Sequence, residues 1–208
     1  MKKLLSRPQM RLLCASLALG LLLCGAGQAA AWGRAQLRTG QAVCADTLRL
    51  HIRAASDAVA DQSAKLRVRD AVLACLDAAC PAQDQADACS WAARNLLTLQ
   101  LAARHALAAC GVDAPVQVQL VNMYFPARQY AGAALPAGRY DAVRICIGSG
   151  SGQNWWCVLY PGLCRSACGG YALPEENDLV CGDCILRFRL VDWVQQHTAR
   201  REDRVLAG

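Results

Sequence analysis

The sequence predicts an α+β fold in which two long helices pack on one face of a mostly antiparallel sheet. The main observation is the order of hydrophobic periodicities, which runs strand, helix, helix, three strands and a mixed strand/helix tail. A length of 208 residues with a hydrophobic share of 55% suits one well-buried core rather than two large ones. One main domain follows from these observations.

The amino terminus is typical of an export signal. The basic stretch MKKLLSRPQMR is followed by the apolar run LLCASLALGLLLCGAG and then by QAAA. An Ala-x-Ala match ending at Ala31 indicates cleavage before Trp32, whereas residues 12–27 also lie near the lower length limit for a retained membrane anchor. We expect an exported protein in which residues 1–31 are a signal peptide or an anchor, and which meets the membrane only through this segment.

The net charge argues against nucleic-acid binding. The chain carries +6, but Lys2, Lys3, Arg7 and Arg11 lie within residues 1–31, which contain no acid, so the remainder carries +2. A nucleic-acid-binding protein needs a basic surface that survives processing. We expect no nucleic-acid partner.

The rest of the chain divides into a polar linker at residues 32–46, a domain at 47–198 and a polar tail at 199–208. Alternating residues predict a strand at 47–56, and Ser56 and Asp57 are good helix caps. Apolar residues at three- and four-residue steps predict helices at about 61–81 and 86–110, with Gly111 in the left-handed cap position. Alternation then predicts strands in PVQVQLVNMYF, YDAVRICIG and NWWCVLY, and CILRFRLVDWVQQH is interpreted as a strand that enters a short helix.

The stretch IGSGSGQNWWCVLYPGLC contains three glycines that could suggest phosphate binding. The spacing of Gly148, Gly150 and Gly152 matches neither common phosphate-binding pattern, and β-prone aromatic sequence follows where a helix would be needed. We therefore predict that residues 148–153 form a flexible hairpin tip between two neighbouring strands.

Cys157 could be either a nucleophile or a disulfide partner. A nucleophile needs a nearby histidine, and His51 lies on the polar side of a strand that could neighbour Cys157. An exported thiol-dependent or cell-wall-acting enzyme that uses Cys157 and His51 is therefore the alternative function. The plainer interpretation is a Cys157/Cys164 disulfide, because Pro161 and Gly162 turn the chain back between the two cysteines.

Cysteine spacing also raises the question of zinc. Cys164, Cys168, Cys181 and Cys184 have spacings close to those of a zinc ribbon. Of the 13 cysteines, Cys14 and Cys24 lie within residues 1–31, and disulfides are the default use of the others in an exported protein. Zinc stays an alternative, and no metal or other cofactor is expected.

Two further features are candidates for binding rather than catalysis. On a strand, Trp155 and Trp156 must point to opposite faces, so one of them can anchor an interface, although both could instead be covered. Lys65 and Arg69 lie near Asp61 and Asp70 on one helix surface, which by itself is an ordinary solvated face. No local motif marks a carboxylate pair or a Ser/His/Asp set.

Two segments resemble the signature blocks of the stage II sporulation protein R family. They are LRLHIRAASDAVADQSAKLRVRDAV (48–72) and LPAGRYDAVRICIGSGSGQNWWCVLYPGLC (135–164). Ala55 and Gly162 depart from the family pattern, in which an asparagine and a second proline are expected. The residues that carry the resemblance are His51, Ser56, Asp57, Asp61, Gln62, Lys65, Leu66, Val68, Arg69, Asp70, Tyr140, Arg144, Ile147, Gly148, Gly152, Asn154, Trp155, Trp156, Cys157, Pro161 and Cys164.

The resemblance implies a signal between the two compartments of a sporulating cell, and not an enzyme. Such a protein is made in the forespore, is exported into the space between the forespore and mother-cell membranes, and triggers a membrane-embedded aspartic protease of the mother cell. That protease processes the precursor of sigma factor E. The candidate partner-binding residues are His51, Ser56, Asp57, Asp61, Gln62, Lys65, Arg69, Asp70, Arg144, Asn154, Trp155 and Trp156.

Overall fold

The computed structural model describes residues 7–79, 82–130, 133–162, 175–176 and 180. The chain divides into two units, Met1–Thr39 and Gly40–Gly208, and the first helix, α1 (Arg7–Ala45), crosses their boundary. Helix α1 is long and apolar enough to cross a membrane, and an amino-terminal signal sequence has the same properties. The segment predicted as a linker at residues 32–46 is helical as far as Ala45.

The second unit confirms the α+β class and the predicted order of a strand, helices and then strands. The predicted strand/helix tail at residues 184–197 lies outside the described residues. The elements are β1 (Leu48–Arg53), α2 (Val59–Ala79), α3 (Gln85–Arg94), α4 (Leu96–Ala109), β2 (Val116–Phe125), β3 (Arg128–Tyr130), β4 (Ala133–Leu135), β5 (Gly138–Ile147) and β6 (Asn154–Tyr160).

The main sheet has the strand order β2-β5-β1-β6. The β2/β5 and β1/β6 pairs are antiparallel, and the β1/β5 pair is parallel. The predicted hairpin between β5 and β6 is therefore wrong, because β1 lies between these strands and residues 148–153 cross its end. The reason is the burial of β1 on both faces, which requires its backbone groups to find partners along both edges.

The predicted second helix is broken into α3 and α4 at Asn95. The Asn95 backbone N–H donates to the carbonyls of Trp91 and Ala92, and its side-chain amide also donates to the Trp91 carbonyl. Asparagine competes in this way with regular helical bonding. The predicted left-handed residue after the second predicted helix is confirmed, since Gly111, which follows α4, has a φ of 69°.

Helices α2, α3 and α4 cover one face of the sheet, as predicted. Their apolar residues form the largest buried cluster with alternate residues of the strands. From the strands this cluster takes Leu48, Leu50, Ile52, Val116, Val143, Ile145, Ile147, Cys157 and Leu159. The residues between these positions point to the other face, called here the second face.

Helix α4 offers a matched pair of leucines that tests this packing. Leu99 is fully buried, whereas Leu101 is 56% exposed. We expect Leu99→Ala to lower the free energy of unfolding by about 2–5 kcal/mol, because it leaves a cavity between the helices and the sheet. The change from Leu101→Ala should stay within about 0.5 kcal/mol. Urea unfolding of both variants checks this, and equal losses would contradict the packing.

Candidate functional site

The loop at residues 148–153 is held against the turn that follows β1. The Ser151 and Gly152 backbone N–H groups donate to the carbonyls of Ala55 and Ala54, at 3.3 and 3.0 Å. The hydroxyls of Ser149 and Ser151 also donate to the Ala55 carbonyl, at 2.8 and 2.7 Å. We call this pairing of residues 54–57 with 148–153 the loop junction. The prediction of a flexible tip is wrong, because these hydrogen bonds hold the loop in place.

The glycines of this loop allow its backbone to lie close to the turn that follows β1. A Cβ atom on Gly152 would overlap the Ser56 carbonyl, and one on Gly148 would lie 2.9 Å from the Ala55 Cβ. Gly148 and Gly150 also have φ values of 56° and 60°, which favour glycine. Close contact and turn geometry therefore account for the three glycines, and the loop is not followed by a helix that could bind phosphate.

The start of α2 extends the loop junction. Ser56 Oγ donates to the Asp61 carboxylate at 2.6 Å, and the Gln153 backbone N–H donates to Asp57 Oδ1 at 2.8 Å. Lys65 Nζ donates to Gln62 Oε1 at 2.6 Å and to the Gln153 carbonyl at 3.1 Å. Burial lowers the pKa of the Lys65 ammonium, and the nearby Asp57 carboxylate opposes this shift.

Five of the predicted partner-binding residues thus lie together at the loop junction, where they bond to each other and to the loop. They are Ser56, Asp57, Asp61, Gln62 and Lys65. These contacts give them a structural role, and their part in partner binding stays a prediction.

The two tryptophans lie on opposite faces of the sheet, as predicted, and both are half-buried. Trp155 packs against the helix-side cluster, with the Arg69 guanidinium 5.4 Å from its ring centroid. Arg69 also forms an ion pair with Asp70 at 2.6 Å, and both side chains are partly exposed. An exposed pair of this kind contributes at most about 1 kcal/mol.

The second face carries two neighbouring rows of largely polar side chains. Cross-strand register places Gln119, Arg144, His51 and Trp156 in one row, and Gln117, Cys146, Arg53 and Asn154 in the next. We call these eight residues the polar patch. Its rim is exposed at Gln117, Gln119 and Asn154, its arginines are half-buried, and His51 at its centre is 3% exposed.

His51 is held as a neutral ring inside this patch. Its imidazole stacks on Trp156 with ring centroids 4.1 Å apart, and its Nε2 donates to Asn154 Oδ1 at 2.7 Å. Burial lowers the pKa of His51 to about 4, the bond to Asn154 opposes the shift, and the charges of Arg144 and Arg53 add to it.

Arg49 is a fully buried cation that the sequence reasoning missed. Its guanidinium lies 4.4 Å from the ring centroid of Phe125 and 5.0 Å from that of Tyr140, and its Nε donates to the Cys157 carbonyl at 2.9 Å. Arg53 was missed in the same way. Both residues alternate with the apolar residues of β1 in the same phase as His51, and this pattern could have identified them.

The structure contradicts the proposed Cys157/His51 catalytic pair. Cys157 lies opposite Leu50 on the helix side, whereas His51 lies opposite Trp156 on the second face. The sheet backbone therefore separates the two side chains. In addition, the Cys157 sulfur is disulfide-bonded; Cys164 lies outside the described residues, so the predicted Cys157/Cys164 pairing stays a prediction.

The zinc alternative also concerns residues outside the described part of the chain, namely Cys164, Cys168, Cys181 and Cys184. Within the described residues, no group of three or more histidine, cysteine, aspartate or glutamate side chains could hold a metal ion.

These features describe a small α+β domain that follows an apolar amino-terminal helix of the kind found in exported and membrane-anchored proteins. The family model for stage II sporulation protein R matches residues 44–168, which include the whole main sheet. The chain belongs to this family, which confirms the resemblance found in the sequence and supports a role in sporulation.

A curated relative agrees with this assignment. The chain is 32% identical over 133 residues to stage II sporulation protein R of Bacillus subtilis (strain 168). The match covers 63% of this chain and 59% of the relative, so the chain spans less than two thirds of that protein's length. No solved structure matches the chain.

Gly152 tests the loop junction. We expect Gly152→Ala to lower the free energy of unfolding by about 2 kcal/mol or more, because the added methyl group meets the Ser56 backbone and breaks nearby loop bonds. The control is Gly111→Ala, where no described residue lies within 4 Å of the added Cβ and the left-handed φ opposes alanine. That variant should lose roughly 1 kcal/mol in the same urea titration. A smaller loss at Gly152 than at Gly111 would contradict the close approach.

The buried His51 predicts how stability depends on pH. The unfolded chain binds a proton at His51 near pH 6.5, but the folded chain does so only near pH 4, so stability is lost as pH falls between these values. Over this pH interval, the free energy of unfolding of the wild type should fall by about 3 kcal/mol more than that of the variant His51→Gln. Urea titrations at each pH measure it. The control is His105→Gln, on the exposed surface of α4, which should keep the pH dependence of stability of the wild type. Parallel stability profiles for the wild type and His51→Gln would contradict the low pKa of His51.

Proposed function

We propose that this chain is an exported signalling protein of endospore formation that activates a membrane-embedded aspartic protease of the mother cell. The protease would then process the precursor of sigma factor E. The observation that carries the proposal is membership of the stage II sporulation protein R family over residues 44–168. The signalling role itself is the one that the sequence resemblance implied.

Helix α1 supports the export part of the proposal. A cleaved signal would release the domain into the space between the forespore and mother-cell membranes, and an uncleaved helix would tether the domain at the same membrane surface. In both cases the folded sheet domain would face the mother-cell membrane and act as a ligand of the protease there.

The sheet domain supports a binding role rather than a catalytic one. The sequence candidates for a thiol nucleophile and its base lie on opposite faces of the sheet. What the domain offers instead is a rigid sheet with a half-buried tryptophan on each face, and tryptophan is frequently an anchor of protein interfaces. We therefore propose that the protein acts through contact with the protease and breaks no bond itself.

The decisive experiment reconstitutes the full chain with the membrane protease and the sigma factor precursor, and scores precursor cleavage. Because Trp155 and Trp156 lie on opposite faces, only one of them can belong to a single flat contact surface. We expect one of the variants Trp155→Ala and Trp156→Ala to lower cleavage by about tenfold or more, as for an interface hot spot, and the other to remain active.

Circular dichroism and urea unfolding of each variant separate a lost contact from a lost fold. The variants Trp155→Phe and Trp156→Phe keep an aromatic ring and serve as conservative controls. Full activation by both alanine variants would contradict the interface, and cleavage of the precursor without the protease would contradict the ligand role.

A further inference from the structure

The polar patch differs in charge from the rest of the sheet. The four strands of the main sheet contain one acidic residue, Asp141, and it bonds to Gln85 and Asn122 rather than to the patch. The patch itself contains two arginines and no carboxylate. It is therefore a cationic surface set among neutral amides and one tryptophan.

The two arginines lie close to one another and to His51. Arg144 is the direct neighbour of His51 in the parallel β1/β5 ladder, and Arg53 lies two residues further along β1 on the same face. Both positive charges contribute to lowering the pKa of the imidazole. Two like charges so close together raise the energy of the free surface, and an anion that contacts both would relieve this repulsion.

Several polar atoms of the patch have no hydrogen-bond partner among the described residues. They include the buried Nε atoms of Arg53 and Arg144 and the buried Nδ1 atom of His51. His51 Nε2 donates to Asn154, which leaves Nδ1 as the acceptor nitrogen of the neutral ring. The half-buried arginines thus offer guanidinium donors, and the carboxylates of an acidic peptide are matching acceptors.

We propose that the polar patch is the docking site for an acidic segment of the protein partner. A carboxylate contacts the guanidinium groups of Arg53 and Arg144, whose planar donors suit a carboxylate. Trp156 provides the apolar contact beside them, and the exposed amides of Gln117, Gln119 and Asn154 bond to the main chain of the segment. The identification of that partner as the protease rests on the proposed function, whereas the chemistry of the patch does not.

A protein segment fits the patch better than a nucleic acid does. Binding to a phosphate backbone requires many cationic contacts spread along a surface. The patch offers two arginines within two adjacent rows of side chains. This geometry suits one or two carboxylates with an aromatic contact next to them.

The first test measures binding of a hexaglutamate peptide to the purified full chain in non-ionic detergent, with hexaglutamine as the neutral probe. The double variant Arg53→Gln/Arg144→Gln should bind hexaglutamate about tenfold more weakly than the wild type. The matched control is Arg67→Gln/Arg104→Gln, which removes two exposed arginines from α2 and α4 and has the same net charge. It should bind within about twofold of the wild type.

Three outcomes would overturn the proposal: no hexaglutamate binding by the wild type, equal losses in both double variants, or equal binding of hexaglutamine. Circular dichroism reports whether each variant folds. If Arg53→Gln/Arg144→Gln does not fold, the single variant Arg144→Lys replaces it, because lysine keeps the charge but loses the planar pair of donors. It should bind about threefold or more weakly, and unchanged binding would overturn the proposal.

The second test uses the same variants in the reconstituted cleavage reaction. Both proposals are supported if the wild type and the control double variant activate the protease and the patch double variant does not. Equal activation by the wild type and the patch variant overturns the patch as the docking site and leaves the signalling function standing. If hexaglutamate binding depends on the patch but the wild type does not activate the protease, the docking chemistry holds and the proposed function fails.

Discussion

The position of β1 between β5 and β6 is the constraint on which the rest of this structure depends. A strand that is buried on both faces needs neighbours along both edges, and β1 obtains them by parallel pairing with β5 and antiparallel pairing with β6. The chain must therefore cross the end of β1 between these two strands. That crossing brings residues 148–153 against residues 54–57, and the glycines and serines of the loop follow from the short distance between the two backbones.

The same central strand creates two different environments on its two sides. Leu50 and Ile52 enter the helix-side core, whereas Arg49, His51 and Arg53 alternate with them on the second face. Each basic group is accommodated differently. Arg49 lies among aromatic rings and donates to a backbone carbonyl, His51 stays neutral, and Arg53 is half-buried at the carboxyl end of β1. Of these three basic side chains, only that of Arg53, at the carboxyl end of β1, is therefore partly exposed to solvent.

Periodicity in the sequence was enough to predict the fold class, the helices on one face and the opposite directions of Trp155 and Trp156. It could not predict the strand order, because alternation shows which residues share a face and not which strands are neighbours. The Cys157/His51 pair shows this limit clearly: the two strands are adjacent, but the register places the side chains on opposite faces. The break at Asn95 and the three-residue strands β3 and β4 depend on local bonds and tertiary contacts that a periodic pattern does not contain.

The loop junction also explains why residues with structural roles and residues proposed to bind a partner are mixed within the same sequence segments. The junction fixes both backbone polar groups of Gln153, since Asp57 accepts from its N–H and Lys65 donates to its carbonyl. The next residue, Asn154, begins β6 and bonds to His51, and Trp156 follows two positions later on the same face. The bonds that Asp57 and Lys65 make within the protein thus help to determine where the polar patch presents its amide and its tryptophan. A change at the junction can therefore alter the geometry of the proposed docking patch without involving any residue of the patch itself.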